Sequence, residues 1–583
     1  MNLDVLFIHP PSIYDFRKRV VFPGPIAHTV SRYTHVFIAV PMGMISMAEY
    51  LERHGYKARI LNLGEWMIEN EREDPEKLLS QIDAKVYGVD LHWCTSSQGS
   101  IEVARICKKL HPNSTVVLGG LTASFFHDEI VKEFPFIDGV LRGESEEQIL
   151  ELAESRGDKA RLEKVFNFTF RDHEGRIRVN PLSQVCRDLD DYDFSRVDLI
   201  EPSNLMLTTT AGIKGWMIPV ARGCTHNCRH CGGSCCSYRA LFGRLKPAPR
   251  SPQKIVEDIL KLKERGVETV FLIQDPRICG ERYWRNLFQT IREEKLDLKQ
   301  LGIELFDPVN NEFLQAALST NLPLIMDISP ESGNEYVRMK QGRSYSNDQL
   351  IDSVEKCREK EIRVSIFFMI GCGEETEESL RETWTICSKL FRMDRFMRKG
   401  EEKSFPKPLW FKPQIGPMIL LDPCSHAFLY PERHGYELSS KSFREYYSGL
   451  CLPSWHQWFN YQTRHFSKRR LAEVSLESID LLLDLEERHG LHERPEAFCQ
   501  LKFERVRCRM NYFIIEETDK LMKLGEEERT GRMMNLNSIV NEYLSLPPWA
   551  RDPPPIRDDP FNYAQSLHSL VHKSVGILKS SEY

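Results

Sequence analysis

The sequence predicts an α/β protein made of two strand–helix units and a mainly helical C-terminal region. Apolar strands and amphipathic helices alternate over residues 1–155, and the same rhythm resumes between about 215 and 415. Such alternation is typical of parallel sheets covered by helices. Beyond residue 415 the patterns are helical, as in SLESIDLLLDLEERHG. A chain of 583 residues is also too long for a single core, so several domains are expected.

The charge balance argues against nucleic acid as the main ligand. The chain has 78 basic and 84 acidic residues, and no basic surface extends over a whole domain. The mean hydropathy is -0.40, and no apolar run approaches the ~18–20 residues that span a bilayer. The start, MNLDVLFIHPPS, lacks a basic flank and a cleavage site. The sequence therefore predicts a cytoplasmic protein that is not an integral membrane protein.

Residues 1–155 are expected to form a doubly wound sheet. DVLFIHPP is an apolar strand stopped by prolines, and four more strands are predicted in YKARILNLG, KVYGVDLHW, STVVLGG and DGVLRGE. GMISMAEYLERHG places Met44, Met47 and Leu51 on one face of the first helix, which Gly55 ends. This order of elements is typical of Rossmann-type, flavodoxin-like folds, whose ligands lie beyond the carboxyl ends of the strands.

Three loops at that edge contain candidate ligand contacts. Pro10 follows the first strand, Thr95 and Ser96 follow the third, and Gly119-Gly120 follows the fourth. A glycine pair directly after a buried strand lets a large flat ligand approach the backbone, but it also permits a tight turn. The sequence leaves both explanations open.

The stretch ARGCTHNCRHCGGSCC (221–236) contains five cysteines: Cys224, Cys228, Cys231, Cys235 and Cys236. In a large chain without a signal peptide, a tight cysteine cluster indicates a metal site rather than disulfides. A zinc site would need a second ligand pair, which does not follow at finger-like spacing. Three of the thiols instead suit three corners of a cubane iron–sulfur cluster, which leaves one iron without a protein ligand.

The spacing Cys-x3-Cys-x2-Cys resembles the signature of the radical S-adenosylmethionine (radical SAM) superfamily. The resemblance implies a partial six-stranded, TIM-like barrel and a [4Fe-4S] cluster held by Cys224, Cys228 and Cys231. The open iron would bind the amino and carboxylate groups of S-adenosylmethionine (SAM). One electron would then split the sulfonium and yield a 5′-deoxyadenosyl radical. An electron donor such as ferredoxin or flavodoxin is the implied protein partner.

Further motifs extend this resemblance along the barrel. ISPESGNEYVRMKQGRSYS resembles the passage after the fourth strand, which implies that Glu331 lies near the ribose or amino acid part of SAM and that Arg343 pairs with its carboxylate. FFMIGCGEETEES resembles the passage after the fifth strand, which implies that Gly371 lies near the adenine. The implied SAM contacts are His230, Gln274, Glu331, Ser332, Arg343 and Gly371.

The first unit resembles the cobalamin-binding domain that precedes many radical SAM enzymes. VPMGMISMAEYLERHGY, VVLGGLTAS and DGVLRGESEEQILEL match its motifs in order. The implied cobalamin contacts are Pro10, Gly43, Thr95, Ser96, Gly119, Gly120 and Glu144. No D-x-H-x-x-G motif follows the first strand, and Asp90-Leu91-His92 follows the third strand without the glycine. The resemblance implies cobalamin without a histidine ligand, or a domain that holds no cobalamin.

The expected domains are a cobalamin-binding-like domain (1–155), a linker (156–212), a radical SAM partial barrel (213–415) and a mainly helical region (416–583). The resemblance implies methylation of an unactivated carbon, with a small-molecule or lipid substrate that is unknown. One alternative is radical cyclisation, rearrangement or carbon–carbon coupling. Another is a metal- or cobalamin-binding regulatory protein. The aromatic stretch SWHQWFNYQTRHF suits core packing or an apolar substrate pocket, and Cys235 and Cys236 have no assigned role.

Overall fold

Two parallel sheets and a helical C-terminal region make up the computed structural model. It describes residues 2–24, 38–155, 159–183, 185–186, 188–207, 213–397, 411–489 and 495–545. The predicted fold class is confirmed: a doubly wound sheet, a six-stranded parallel sheet and a mainly helical region follow one another. Within these ranges no helix is both long and apolar enough to cross a membrane.

The first sheet has eight strands. They are β1 (Asn2–His9), β2 (Ala58–Asn62), β3 (Asp83–Asp90), β4 (Thr115–Gly119), β5 (Gly139–Leu141), β6 (Phe168–Arg171), β7 (Ile177–Val179) and β8 (Ile200–Glu201). Their order is β7-β6-β5-β4-β3-β1-β2-β8. Neighbours are parallel except in the β5–β6 and β6–β7 pairs. The last five residues of β1 are all buried, because helices cover both faces of the sheet.

Nine helices accompany this sheet in the described part. They are α1 (Met42–Arg53), α2 (Leu63–Glu69), α3 (Pro75–Ser80), α4 (Ser97–Leu110), α5 (Leu121–Phe125), α6 (His127–Glu133), α7 (Glu146–Ser155), α8 (Lys159–Leu162) and α9 (Asn204–Leu207). Helix α1 buries Met44 and Leu51 in the core, and Met47 packs partly buried against the same core. The apolar face predicted for this helix is therefore the face that meets the sheet.

The described parts of residues 156–212, expected to link the two units, add three strands to the first sheet. Strands β6 and β7 add an antiparallel edge next to β5, and β8 pairs in parallel with β2 at the opposite edge. The connecting segment thus crosses the sheet from one side to the other before the barrel begins.

The second sheet is an open, six-stranded parallel barrel. The next strands along the chain are β9 (Gly215–Pro219), β10 (Ala221–Arg222), β11 (Ala248–Pro249), β12 (Thr269–Ile273), β13 (Gln300–Leu305), β14 (Leu324–Glu331), β15 (Arg363–Ile370) and β16 (Phe411–Pro417). The barrel order is β16-β15-β14-β13-β12-β9, while β10 and β11 form a separate ribbon. No pairing between β9 and β16 is found among the described residues, so the barrel is partial.

Helices follow the barrel strands in the expected rhythm. They are α10 (Cys235–Phe242), α11 (Pro252–Glu264), α12 (Glu281–Glu293), α13 (Asn311–Leu318), α14 (Glu335–Gln341), α15 (Asn347–Glu359) and α16 (Glu377–Met397). The Ser251 side chain accepts a hydrogen bond at the start of α11, with Pro252 in the first turn. Ser346 and Gln349 form a capping box at α15. Both caps are predicted by the sequence.

The C-terminal region packs mainly through helices. They are α17 (His426–Leu429), α18 (Phe443–Leu450), α19 (Lys468–Arg488), α20 (Pro495–Leu521) and α21 (Glu526–Ser545), with a small ribbon of β17 (Tyr436–Leu438) and β18 (Tyr461–Thr463). Trp455 and Trp458 are 0% and 2% exposed. The aromatic stretch 454–466 therefore forms core rather than a substrate pocket.

A buried ion pair joins α11 to the β10–β11 ribbon. Arg250 Nη2 and Asp258 Oδ2 lie 2.6 Å apart, and both side chains are fully buried. The Arg250 guanidinium also lies over the ring of Phe194, 4.8 Å from its centroid. Removing one partner of such a pair leaves an uncompensated charge, which costs about 3–5 kcal/mol.

We expect Asp258→Ala to lower the thermal unfolding midpoint clearly, because Arg250 then stays buried without a counter-charge. The matched control is Glu257→Ala, on the same helix and half exposed, where a surface ion pair is worth about 0–1 kcal/mol. Differential scanning fluorimetry measures both. Equal midpoints for the two variants would contradict the importance of this pair.

Candidate functional site

The loop with the three predicted cluster ligands lies at the carboxyl edge of the barrel. Strand β9 ends at Pro219, and the loop directly follows Arg222 at the end of β10. Gly223 has a φ of +100°, and a side chain there would meet Arg244 Cδ at 2.9 Å. The first residue of the loop must therefore be glycine for the chain to pack this closely.

The three thiols have the surroundings of metal ligands. Backbone N–H groups of His226 and Gly233 donate to the Sγ atoms of Cys224 and Cys231, each at 3.3 Å. Burial raises the pKa of all three thiols, and for Cys228 to about 11. Such thiols become ligands when a metal displaces their protons. Three sulfur donors with two N–H donors fit a [4Fe-4S] cluster.

Cys235 and Cys236 lie outside this set of three. They begin α10, where the Ser234 side chain accepts the backbone N–H of Ser237. The backbone N–H of Cys235 donates to His226 O at 2.9 Å, which ties the helix start to the cysteine loop. Within the described ranges, no three His, Cys, Asp or Glu side chains are grouped around one metal ion position.

Two predicted SAM contacts have left-handed backbones at the ends of barrel strands. Gln274 follows β12 with a φ of 71°, and Glu331 ends β14 with a φ of 66°. Such strain costs of order 1–3 kcal/mol and is typical of functional sites. The Gln274 side chain donates to Gly223 O at 3.0 Å, while its Oε1 is buried without a partner in the described part. One acceptor atom at this edge is therefore unsatisfied.

Arg343, Glu331 and His230 form a polar cluster beside the cysteine loop. Glu331 Oε1 lies 3.6 Å from Arg343 Nη2 and 4.0 Å from His230 Nε2. Arg343 is buried, and its Nη1 donates to Phe306 O at 3.1 Å. Its Nε has no hydrogen-bond partner among the described residues. The strand ends thus hold one unsatisfied donor as well as the unsatisfied acceptor of Gln274.

Ser332 and Gly371, also predicted to contact SAM, make packing interactions. The Ser332 Oγ lies 3.4 Å from Thr383 Oγ1 and accepts the backbone N–H of Asn334. Gly371 has a φ of +103°, and a side chain there would overlap Tyr461 Oη. These packing contacts are enough to explain why a serine and a glycine occupy these two positions, so the roles of both residues at SAM stay predictions.

A cavity of about 550 Å³ lies between the carboxyl edges of the two sheets. The first sheet contributes residues after β3, β4 and β5, the second contributes Pro219 and Gln274, and the β10–β11 ribbon contributes Arg222. Of the predicted cobalamin contacts, the cavity is lined by Gly43, Gly119, Gly120 and Glu144. Pro10, Thr95 and Ser96 are not part of the lining, and the buried hydroxyls of the last two have no hydrogen-bond partner among the described residues.

The two glycines after β4 differ in what the protein requires of them. A side chain at Gly120 would lie 2.5 Å from the Cα of His92, and Gly120 has a φ of +114°. A Cβ at Gly119 would meet only Leu141 O at 3.6 Å, an ordinary contact. The tight turn therefore explains Gly120, while Gly119 leaves open space in the cavity.

The Glu144 carboxylate joins the two sheets. It accepts two hydrogen bonds from Arg244, at 2.6 and 2.7 Å, and lies 3.4 Å from Arg222. Beside it, Arg222 Nη2 lies 2.5 Å from the carboxylate of Glu146. Glu144 lines the cavity with its carboxylate already occupied, so it holds the cavity wall together.

Sequence reasoning missed three residues at the site. Asp422 Oδ2 accepts the N–H of Gly232 at 3.0 Å, and its Oδ1 lies 3.7 Å from Cys94 Sγ. Glu304 accepts the N–H of Gln274, and burial raises the pKa of Glu304. His92 lines the cavity, although the Asp90-Leu91-His92 stretch was given no role because it lacks the glycine of the histidine-ligand motif. Glu304 also had a sequence signal, because it interrupts the apolar strand LGIELF.

Family profiles match both units. A profile described as "Radical SAM superfamily" matches residues 218–384, and one described as "B12 binding domain" matches residues 33–153. This chain contains a radical SAM domain and a B12-binding domain. The enzyme assignment replaces the non-enzymatic alternative. For the two domains, the predicted cofactor set of a [4Fe-4S] cluster, SAM and cobalamin is confirmed, while the roles of individual residues stay predictions.

The curated relatives of this chain have diverse activities. An uncharacterized methyltransferase of Pyrococcus horikoshii is 22% identical over 67% of this chain and 78% of its own length. Cytidylyl-2-hydroxyethylphosphonate methyltransferase of Streptomyces wedmorensis is 21% identical over 73% of this chain and 85% of its own length. Anaerobic magnesium-protoporphyrin IX monomethyl ester cyclase of Synechocystis is 29% identical, but over 34% of this chain and 38% of its own length.

Two solved structures share the fold. TsrM of Kitasatospora setae, with cobalamin and a [4Fe-4S] cluster bound, superposes with a TM-score of 0.56 at 14% identity, covering 94% of this chain and 100% of TsrM. OxsB, with aqua-cobalamin and SAM bound, gives a TM-score of 0.55 at 13% identity, covering 98% of this chain and 84% of OxsB. At these identities the likeness concerns the fold.

We expect the five cysteines to separate into two groups after anaerobic reconstitution. Replacing Cys224, Cys228 or Cys231 by alanine should abolish iron and sulfide binding, because each removes one of three cluster ligands. Cys235→Ala and Cys236→Ala serve as matched controls, and their iron and sulfide contents should stay near those of the wild type. Iron and sulfide assays with visible absorption spectra check this. An iron-free Cys235→Ala protein would contradict the assignment.

Proposed function

We propose that this enzyme is a cobalamin-dependent methyltransferase that transfers a methyl group to an unactivated carbon. The observation that carries the proposal is the cavity of about 550 Å³ shared by the carboxyl edges of the two sheets. Ala221 and Arg222 line that cavity, and the cysteine loop begins directly after them. The proposed cobalamin and cluster sites are therefore neighbours across the domain boundary.

The residues present fit each of the three cofactors. Cys224, Cys228 and Cys231 would hold the cluster, and the open space at Gly43 and Gly119 would receive cobalamin. When bound, the cluster and SAM supply a radical that removes a substrate hydrogen atom, and cobalamin supplies the methyl group. The chain itself binds these groups and holds them side by side.

Gln274 and Arg343 are the residues we expect to orient SAM. The Oε1 of Gln274 is a buried acceptor and the Nε of Arg343 is a buried donor, and neither has a partner in the described part. An α-amino acid moiety offers an ammonium group and a carboxylate, which complement this pair. The strained backbone of Gln274 holds its side chain at the strand end, against Gly223 O.

The cavity walls are expected to keep water from the reacting groups. Apolar side chains such as Met44, Val117 and Leu141 line the part next to the first sheet. Phe242 and Tyr238 of α10 line the opposite side. A mainly apolar enclosure protects a reactive radical from solvent, which a cofactor site of this kind requires.

The relatives support methyl transfer, because the two methyltransferases align with most of the chain. Both methyltransferases named above align with about two thirds or more of it, at 67% and 73%. A second candidate is radical cyclisation, which the 29% identity to the Synechocystis cyclase favours, although over 34% of the chain. We propose a small-molecule or lipid substrate for either reaction.

The test is an anaerobic assay with SAM labelled in its methyl group, dithionite, and cell extract as a substrate source. Methyl transfer predicts 5′-deoxyadenosine, S-adenosylhomocysteine and a labelled product, and Cys228→Ala should lose the 5′-deoxyadenosine and the labelled product. Label-free product with 5′-deoxyadenosine would support cyclisation instead. Absence of 5′-deoxyadenosine from the reconstituted wild type would contradict both candidates.

A further inference from the structure

Exposed apolar side chains occur on two helices that flank the cysteine loop. Ten large hydrophobic side chains in the described part are clearly exposed, and four of them belong to α14 and the α17 region. These four are Tyr336, Met339, Leu429 and Tyr430, with exposures of 53%, 50%, 43% and 54%. Clustered apolar exposure marks interaction sites more often than scattered residues do. We call this surface, with Lys340 and Arg433, the α14–α17 face.

The α14–α17 face is built directly onto the cysteine loop. Arg229, between the second and third cluster cysteines, donates its backbone N–H to Gln341 O at 3.1 Å. Its carbonyl accepts the N–H of Ala427 at 2.8 Å, so α14 and α17 flank it on two sides. A side chain at Gly342 would meet Asn227 O at 2.9 Å, which places the end of α14 in contact with the loop.

The face is also rich in cations that lack ion-pair partners. Arg229, Lys340 and Arg433 form no ion pair with a carboxylate in the described ranges, whereas the nearby Arg464 pairs with Glu374. Burial, then His426, and then these three cations lower the pKa of His434 to about 4, which indicates that their charges converge.

Three exposed carboxylates accompany these cations. Glu432 lies beside Arg433, while Glu335 and Glu382 both lie at the start of α14, where they accept hydrogen bonds from Asn347 and Asn334. The cations therefore outnumber the acids only at the end of α14 next to the cysteine loop, where Glu432 is the accompanying acid.

This inference rests on the proposed function, which consumes one electron from outside for each SAM that is cleaved. The carrier loses one electron and the cluster gains it, and no atom is transferred. The barrel and the cavity occupy the inner side of the cysteine loop, through Arg222 and Gln274. The α14–α17 face meets the loop at Arg229, between the second and third cysteines, so a carrier bound to this face would lie next to the cysteines.

We propose that the α14–α17 face docks an acidic, low-potential one-electron carrier protein of the flavodoxin or ferredoxin kind. Its apolar centre and unpaired cations complement a carrier with acidic residues around its redox group. Electron-transfer partners form small, weak interfaces, and charge complementarity mainly accelerates their encounter. The association should therefore weaken strongly with added salt.

The test compares two reductants on the reconstituted enzyme. In Lys340→Glu/Arg433→Glu, we expect SAM cleavage driven by reduced flavodoxin to fall at least tenfold at low salt. Cleavage driven by dithionite, a small reductant, should stay near the wild-type rate. The matched control is Arg292→Glu/Lys360→Glu, two exposed cations at the ends of α12 and α15, on the opposite end of the barrel. It should leave both rates unchanged.

A second variant and a binding measurement allow failure of the docking site to be distinguished from failure of the proposed function. Tyr430→Ala keeps the charge and should weaken flavodoxin binding, measured by calorimetry whether or not SAM is cleaved. Flavodoxin binding and flavodoxin-driven rates equal to wild type in both face variants would overturn the docking site. Light scattering gives the oligomeric mass of the wild type and of the two face variants. A lower mass in the variants would also overturn the proposal, because the face would then bind a second copy of the chain. Failure of wild-type cleavage with dithionite would instead count against the proposed function.

Discussion

The structure depends on a buried ion-pair network that joins the first sheet to the barrel. Arg244 binds Glu144 with two hydrogen bonds, and Arg222 bridges Glu144 and Glu146. Ser46 donates to Glu146 at 2.9 Å, so the carboxylates are well satisfied. Burial alone would raise the pKa of Glu146, but Arg222 and the hydrogen bonds hold it below its usual range. Removing one partner of such a network costs about 3–5 kcal/mol.

The position of this network has a functional consequence. Glu144 and Glu146 follow β5, and Arg222 immediately precedes the cysteine loop. The interactions that hold the two units together therefore also set the cysteine loop at the cavity wall. Parallel sheets expose their ligand-binding loops at the carboxyl edge, and here two such edges face one another. Both units can therefore contribute ligand-binding loops to one cavity.

The sequence predicted what depends on local pattern and missed what depends on distant contacts. Strand–helix alternation identified both sheets, and the capping box of Ser346 and Gln349 follows from neighbouring residues. Strands β6 to β8 were missed because they have two to four residues and pair across the sheet. Asp422 could not be found, since its hydrogen bond to Gly232 spans 190 residues. Motif matching alone also could not reveal that Gly371 makes room for Tyr461.

The central claim is that the cavity between the two edges is the cobalamin site. Equilibrium titration of the anaerobic apoprotein with hydroxocobalamin, followed by visible absorption, tests it most directly. Gly119→Val fills open space in the cavity and should weaken binding at least tenfold, about 1.4 kcal/mol, while iron content stays unchanged. Gly449→Val, at an equally open position of α18 outside the cavity lining, should bind like wild type. Unchanged affinity in Gly119→Val would contradict the account.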